Sequence, residues 1–140
     1  MAANPHQSKT VTFLLGDAPN QINAHCWFKR IAVVGDENLD YATWCNQSGT
    51  VDRRVECEGF QSADTAADAL WPVLEPLQGT WVNFEYTSTG AGGETLTASG
   101  ECKVPMLTTF VDSDPTSRRT SLTLNFEIAA GVTLGYTPAP

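Results

Sequence analysis

The chain is predicted to be a mainly β protein: an antiparallel β-sandwich or small open barrel with one flanking α-helix at about residues 62–77. Three observations predict it. Several long stretches alternate apolar and polar side chains residue by residue, as a half-buried strand must. Their polar parities are rows of Thr, Ser, Asn and Glu, the pattern of an antiparallel sheet with one wet face. Only the span from Gly59 to Gly79 changes to helical spacing.

Residues 11–15, VTFLL, read as a short strand closed by the turn-forming run Gly16-Asp17-Ala18-Pro19-Asn20. Residues 26–34, CWFKRIAVV, read as a second strand with apolar residues on both parities, so both faces are expected to be covered. From Gly35 to Val51 the alternation is lost, which predicts a long irregular loop carrying Leu39, Tyr41 and Trp44 among acidic residues. Residues 53–60 alternate again, with Val55 and Cys57 inward.

In the helical span, Ser62 suits an N-cap and Asp64 the first turn. Ala63, Ala66, Ala67, Leu70, Trp71, Leu74 and Leu77 fall on one face. Pro72 would clash with the Asp68 carbonyl of a regular helix, so helix is expected to about Trp71 and a kink or looser turn to Leu77. Residues 81–88, 94–105 and 118–130 complete the strands. Their inward residues are Val82, Phe84 and Tyr86; then Leu96, Ala98, Gly100, Cys102 and Val104; then Leu122, Leu124, Phe126 and Ile128. The Gly-rich run 89–93 makes a hairpin tip.

A length of 140 residues fits one domain, assigned to residues 11–135, with a flexible arm at 1–10 and a short tail at 136–140. Sixteen acidic residues against eight basic ones leave a formal charge of −8. That balance argues against gripping nucleic acid by its phosphates, which needs a basic patch. No apolar run is long enough to span a membrane as a helix. MAANPHQSKT lacks the pattern of a secretory leader, so Cys26, Cys45, Cys57 and Cys102 are expected as reduced thiols, with one disulfide as the alternative. Cys57 and Cys102 have core parity, while Cys45 falls in the loop.

Chemistry is sparse. No C-x-x-C pair occurs, and the cysteine spacings fit no zinc template. His6 lies in the arm, His25 has no adjacent carboxylate to orient it, and no serine sits in a nucleophile elbow. The carboxylates of Asp112 and Asp114 read as a turn ending in Pro115, and Asp64 and Asp68 as a solvated face. No catalytic, cofactor or metal residue is therefore assigned. The nine-to-twelve-residue strands are long for the domain, and their open edges call for pairing with other chains.

The string Gly59-Phe60-Gln61-Ser62-Ala63-Asp64, then Ala69-Leu70-Trp71 and Leu74, carries a resemblance. It is followed by a Val/Phe/Tyr strand, a Gly-rich hairpin, Gly100-Glu101-Cys102-Lys103-Val104-Pro105 and a final Ser/Thr/Leu strand. This order, over roughly residues 53–130, resembles the major tail tube proteins of long-tailed bacteriophages. The chain is short for that family, and its Cys and Trp content is unusual for it.

The resemblance implies a virion protein made in the host cytoplasm. Six copies would pack into a ring and rings would stack into a hollow tail, beside other tail proteins and with DNA as non-adhering cargo. It makes Glu101, Thr123, Asn125 and Glu127 candidate channel-facing residues, and Leu39, Tyr41 and Trp44 a candidate subunit-contact loop. A capsid decoration or cement protein, bound to the outer shell as a small oligomer, is the alternative. A monomeric carbohydrate-binding sandwich using Tyr41, Trp44 and Trp81 is a third.

Overall fold

A computed structural model describes residues 6–43, 46–60, 66–106 and 121–140. Eight strands join in one antiparallel, mainly β architecture: β1 (Ser8–Leu15), β2 (Ile22–Asn23), β3 (Phe28–Thr43), β4 (Asn46–Phe60), β5 (Trp81–Gly90), β6 (Thr95–Lys103), β7 (Ser121–Ile128) and β8 (Thr133–Thr137). Their order is β2-β1-β5-β6-β7-β4-β3, with β8 also on β6. One short helix, α1 (Leu70–Leu74), runs into a 3-10 turn at Glu75–Leu77.

The sheet folds over on itself at the join between β6 and β7. These two strands pair only at Cys102–Ile128 and Lys103–Glu127. Beyond a bend at Ala129–Val132, β8 returns to the same edge of β6 at residues 95–99. Between the pairs Cys102–Ile128 and Ser99–Thr133, three steps on β6 answer five on the other chain. β7 and β8 are thus one long strand with an inserted kink, whose first half pairs β4 and whose second half pairs β6. Such a strand turns the corner between two packed layers. The Ala129 N–H holds the kink by donating to the Glu101 carbonyl at 2.9 Å.

The core lies between those layers. Phe13 of β1 meets Phe126 of β7 edge to face at 5.4 Å, although β5 and β6 separate their strands in the ladder. Phe84 meets Phe13 at 6.3 Å. Burying each ring contributes about 1.5–3 kcal/mol over leaving it in water. Val55, Cys57, Ala98, Cys102, Leu122, Leu124 and Ile128 fill the remainder on the parities the alternation predicts.

Four sequence expectations change. Residues 35–43 and 46–51 are ladder rather than irregular loop: β3 and β4 pair continuously out to Thr43–Asn46. β4 pairs β7 only over Arg54–Phe60, so its earlier residues form a two-stranded ribbon with β3. Among the described strands this ribbon has no third ladder partner, and no periodicity in the sequence marks it.

From Ile31 to Val34 β3 is half-buried on both parities, with Ile31 and Val33 the residues packed against the core, and the expected strand start changes. A register shift between Phe28 and Arg30 inserts a bulge, which lets Phe28 and then Ile31 and Val33 all face the core. Cys26 and Trp27 precede the strand in a 3-10 turn, Ala24–Trp27.

The helix begins at Leu70 rather than near Ser62, and Ala66 and Ala67 are exposed turn residues. Ser62, Ala63 and Asp64 lie outside the described residues. Starting at Leu70 puts Pro72 in the first turn, where its missing N–H has no intrahelical partner to lose. The Asp68 carbonyl, which Pro72 would have crowded in a longer helix, accepts the Trp27 indole N–H at 3.1 Å. Leu70 and Leu74 are buried, while Trp71 and Leu77 pack partly against the core.

Finally, residues 8–10 of the expected arm belong to β1, and Tyr136–Thr137 of the expected tail belong to β8.

Candidate functional surfaces

Alternation along β4, β6 and β7 places one set of polar side chains on the outward face. Glu101, Thr123, Asn125 and Glu127 are all exposed there. The ladder sets Glu127 opposite Lys103 on one side and Arg54 on the other. Asn125 faces Glu56, and Thr123 faces Glu58. All four residues therefore share one continuous surface.

That surface carries an acidic surplus. Arg54 donates to Asp36 at 2.6 Å and to Glu56 at 2.9 Å, and these two carboxylates hold its guanidinium above the usual arginine range, Asp36 foremost. Arg30 pairs Glu58 at 3.9 Å. With Arg54 held between Asp36 and Glu56, no ion pair engages Glu101 or Glu127 among the described residues. A phosphate approaching those two carboxylates meets repulsion.

The backbones of Leu39 and Tyr41 lie in the β3 arm of the ribbon, at the pairs Leu39–Gly49 and Tyr41–Gln47. Their side chains, together with Trp44 and Cys45, lie outside the described residues, as do Asp112, Asp114, Arg118 and Arg119. The loop assigned to subunit contact is thus, in backbone terms, the far part of a hairpin.

The fold also makes a cluster that sequence reasoning missed. His6 Nδ1–H donates to Glu94 Oε1 at 3.1 Å, which leaves Nε2 to accept from Ser88 Oγ at 2.9 Å. Ser88 in turn accepts from Ser8 Oγ at 3.0 Å. The order carboxylate, imidazole, hydroxyl is that of a nucleophilic triad. Ser88, however, is 1% exposed on the inner parity of β5, where a substrate carbonyl does not reach it. The chain of bonds instead fastens the start of β1 to the β5–β6 hairpin, aided by the Ala91 N–H donating to the Gln7 carbonyl at 3.0 Å. No local motif links residues 6, 8, 88 and 94; only the pairing of β1 with β5 brings them together.

His25 is likewise absorbed by structure, with its Nδ1 accepting the Phe13 N–H at 3.3 Å. Cys57 and Cys102 are buried free thiols and Cys26 is exposed. Burial pushes the Cys102 thiol up to about 12. It pushes Cys57 upward too, and the neighbouring Cys102 adds to the effect.

Among the described residues no group of three or more His, Cys, Asp or Glu is placed to hold a metal ion, and no helix is long and apolar enough to cross a membrane. Along β8 and its neighbour, Leu96, Leu134 and Tyr136 expose apolar surface. Leu96 and Tyr136 also help to line an open groove of about 510 Å³, with His6, Glu94 and Ala139. No protein-family model, curated protein or solved structure matches this chain.

Proposed function

We propose that this chain is the structural subunit of a bacteriophage tail tube, packing into rings that stack around a channel for DNA. One observation carries the reading: strand edges and a two-stranded ribbon that the chain's own described strands leave without a partner. Unpaired ladder groups on long strands are an aggregation hazard in a lone molecule and a joint in an ordered assembly.

The outward face supports the same reading. A channel wall of Thr, Asn and Glu carries an acidic surplus, and its Arg54 is already held by Asp36 and Glu56, so DNA would slide with little to hold its phosphates. Glu101 and Glu127 are the carboxylates assigned to that wall, with Thr123 and Asn125 between them in chain order. The far part of the β3–β4 ribbon, with Leu39, Tyr41 and Trp44, is assigned to contact between subunits.

The test is electron microscopy of the purified protein over a concentration series, with native mass measurement alongside. Hollow tubes of uniform width support the proposal. A monomer at every concentration overturns it, and discrete small oligomers that attach only to capsid shells establish the decoration-protein alternative instead. In tubes that do form, Glu101→Gln with Glu127→Gln is expected to leave assembly intact while slowing DNA passage.

A further inference from the structure

The edges of this sheet differ in how they are guarded. β2 is only two residues long, and β3 opens with a bulge that carries Lys29 and Arg30. Short edge strands, bulges and cations are the usual guards against unwanted pairing. β8 has neither a bulge nor a cation, and its five residues are more than twice the length of β2. All five of its residues are exposed, and β6 is its one strand partner among the described residues.

Its side chains suit contact rather than solvent. Leu134 and Tyr136 stand opposite Ala98 and Leu96, so they prolong the core-facing side of the sheet past the point where the second layer covers it. They remain 50% and 65% exposed. The sequence from Ile128 to Pro140 contains no charged residue, in a chain whose net charge is −8.

We infer that β8 is the strand through which one copy of this chain joins the next, its open edge pairing with residues 31–35 of the neighbouring copy's β3. Charge selects the occupant. Two molecules of charge −8 repel in most orientations. The run Ile31–Gly35, just past the guarded start of β3, is as free of charge as β8, so these two edges meet without opposing like charges.

The apolar rows also match. Ile31 and Val33 lie on the core side of β3, as Leu134 and Tyr136 lie on the core side of β8, and cross-strand apolar neighbours of this kind are what stabilise a pairing. Because the two edges are different, the contact is heterologous and repeats from copy to copy instead of closing as a dimer. The inference rests on the subunit reading above and adds which edge makes the joint.

The experiment compares wild type with Leu134→Glu/Tyr136→Glu by native mass and electron microscopy at equal concentration. Both positions are exposed, so at a dilution where wild type is also unassembled the thermal unfolding curves of the two are expected to match. Its assembled fraction is expected to fall by about tenfold or more, because pairing would bury two uncompensated carboxylates.

A second arm adds Thr133→Cys and Ala32→Cys together, in a Cys26→Ser, Cys45→Ser background, and oxidises the protein. A ladder of disulfide-linked dimers, trimers and larger species supports the β8–β3 joint. Three results overturn it, each differently. Wild type that never assembles removes both the inference and the subunit reading. A double variant that assembles as well as wild type removes the inference alone. Dimers formed by Thr133→Cys without Ala32→Cys show that β8 pairs with itself.

Discussion

Replacing Gly100 by alanine tests the corner of the fold directly. Gly100 sits on β6 between the residues that pair β8 and those that pair β7, where the last strand crosses between layers. Its φ of +152° lies in a region that side-chain-bearing residues avoid. A Cβ added there would also stand 3.2 Å from Val132 Cα, inside ordinary contact, and the obstructing atom is backbone rather than a flexible side-chain end. Holding a non-glycine residue in such a conformation costs about 1–3 kcal/mol.

With a urea slope of about 2 kcal/mol per molar, a loss of about 2 kcal/mol moves the denaturation midpoint down by about 1 M. The assay is equilibrium urea unfolding of dilute protein, with Ser99→Ala as control. Ser99 is exposed on the same strand, and the control is expected to stay within about 0.5 kcal/mol of wild type. A Gly100→Ala protein as stable as the control would show that the kink tolerates a side chain and that the close crossing at Val132 does not shape the fold.

Three further outcomes follow from the same packing. Phe126→Ala empties a fully buried site and removes the edge-to-face contact with Phe13, so unfolding free energy should fall by about 3–5 kcal/mol in the urea assay. Pro72→Ala should change stability by less than about 1 kcal/mol, since the first turn has no N–H bond to regain there. Val73→Pro, which deletes the Val73 N–H bond to the Ala69 carbonyl, should cost about 3 kcal/mol; equal effects would mean the helix starts earlier. Cys57 and Cys102 should resist alkylation in native protein while Cys26 reacts, as read by peptide mass mapping. Burial raises both buried thiols, so their folded-state contribution is complete below the free thiol value of about 8.5 and is lost as pH rises above it. For Cys102 that loss extends through about 12, and thermal midpoints should therefore decline through the alkaline range.

What could be read from the sequence was whatever faces the core. Leu122, Leu124, Phe126 and Ile128 alternate because β7 has one buried face, and the same holds for Val55 and Cys57 on β4. The signal failed where that cause was missing. The β3–β4 ribbon pairs with no third described strand beyond Arg54, and its sequence carries no period. β8 is exposed throughout, so TLGYT shows no strand period and its Tyr136–Thr137 read as tail. On β3 one bulge residue shifts the parity between Phe28 and Ile31, so the core-packed residues Phe28, Ile31 and Val33 do not share one parity in the sequence. The helix misled for the opposite reason. Ala63, Ala66 and Ala67 fit the helical face, yet alanine fits a turn equally well, and Pro72 suits a first turn better than an interior. The His6–Ser88–Glu94 cluster had no local signal, because a strand pairing assembles it from distant residues.

The features that escaped periodicity are the ones on which assembly would depend. A strand that buries its face within its own chain is constrained residue by residue and shows it. An edge held in reserve for a second copy is constrained only after the copies meet, and one chain's burial records nothing of it. What remains visible is charge: Glu56, Glu58, Glu101 and Glu127 stand on the outward parity of β4, β6 and β7, while β8 carries no charged residue. Electrostatics alone would keep copies of a −8 molecule apart. In the proposed joint two uncharged edges, β8 and Ile31–Gly35, would meet without opposing like charges. If the outward face is a channel wall and β8 a joint, as proposed, one charge distribution would serve both, keeping phosphate off the wall and like charges out of the joint.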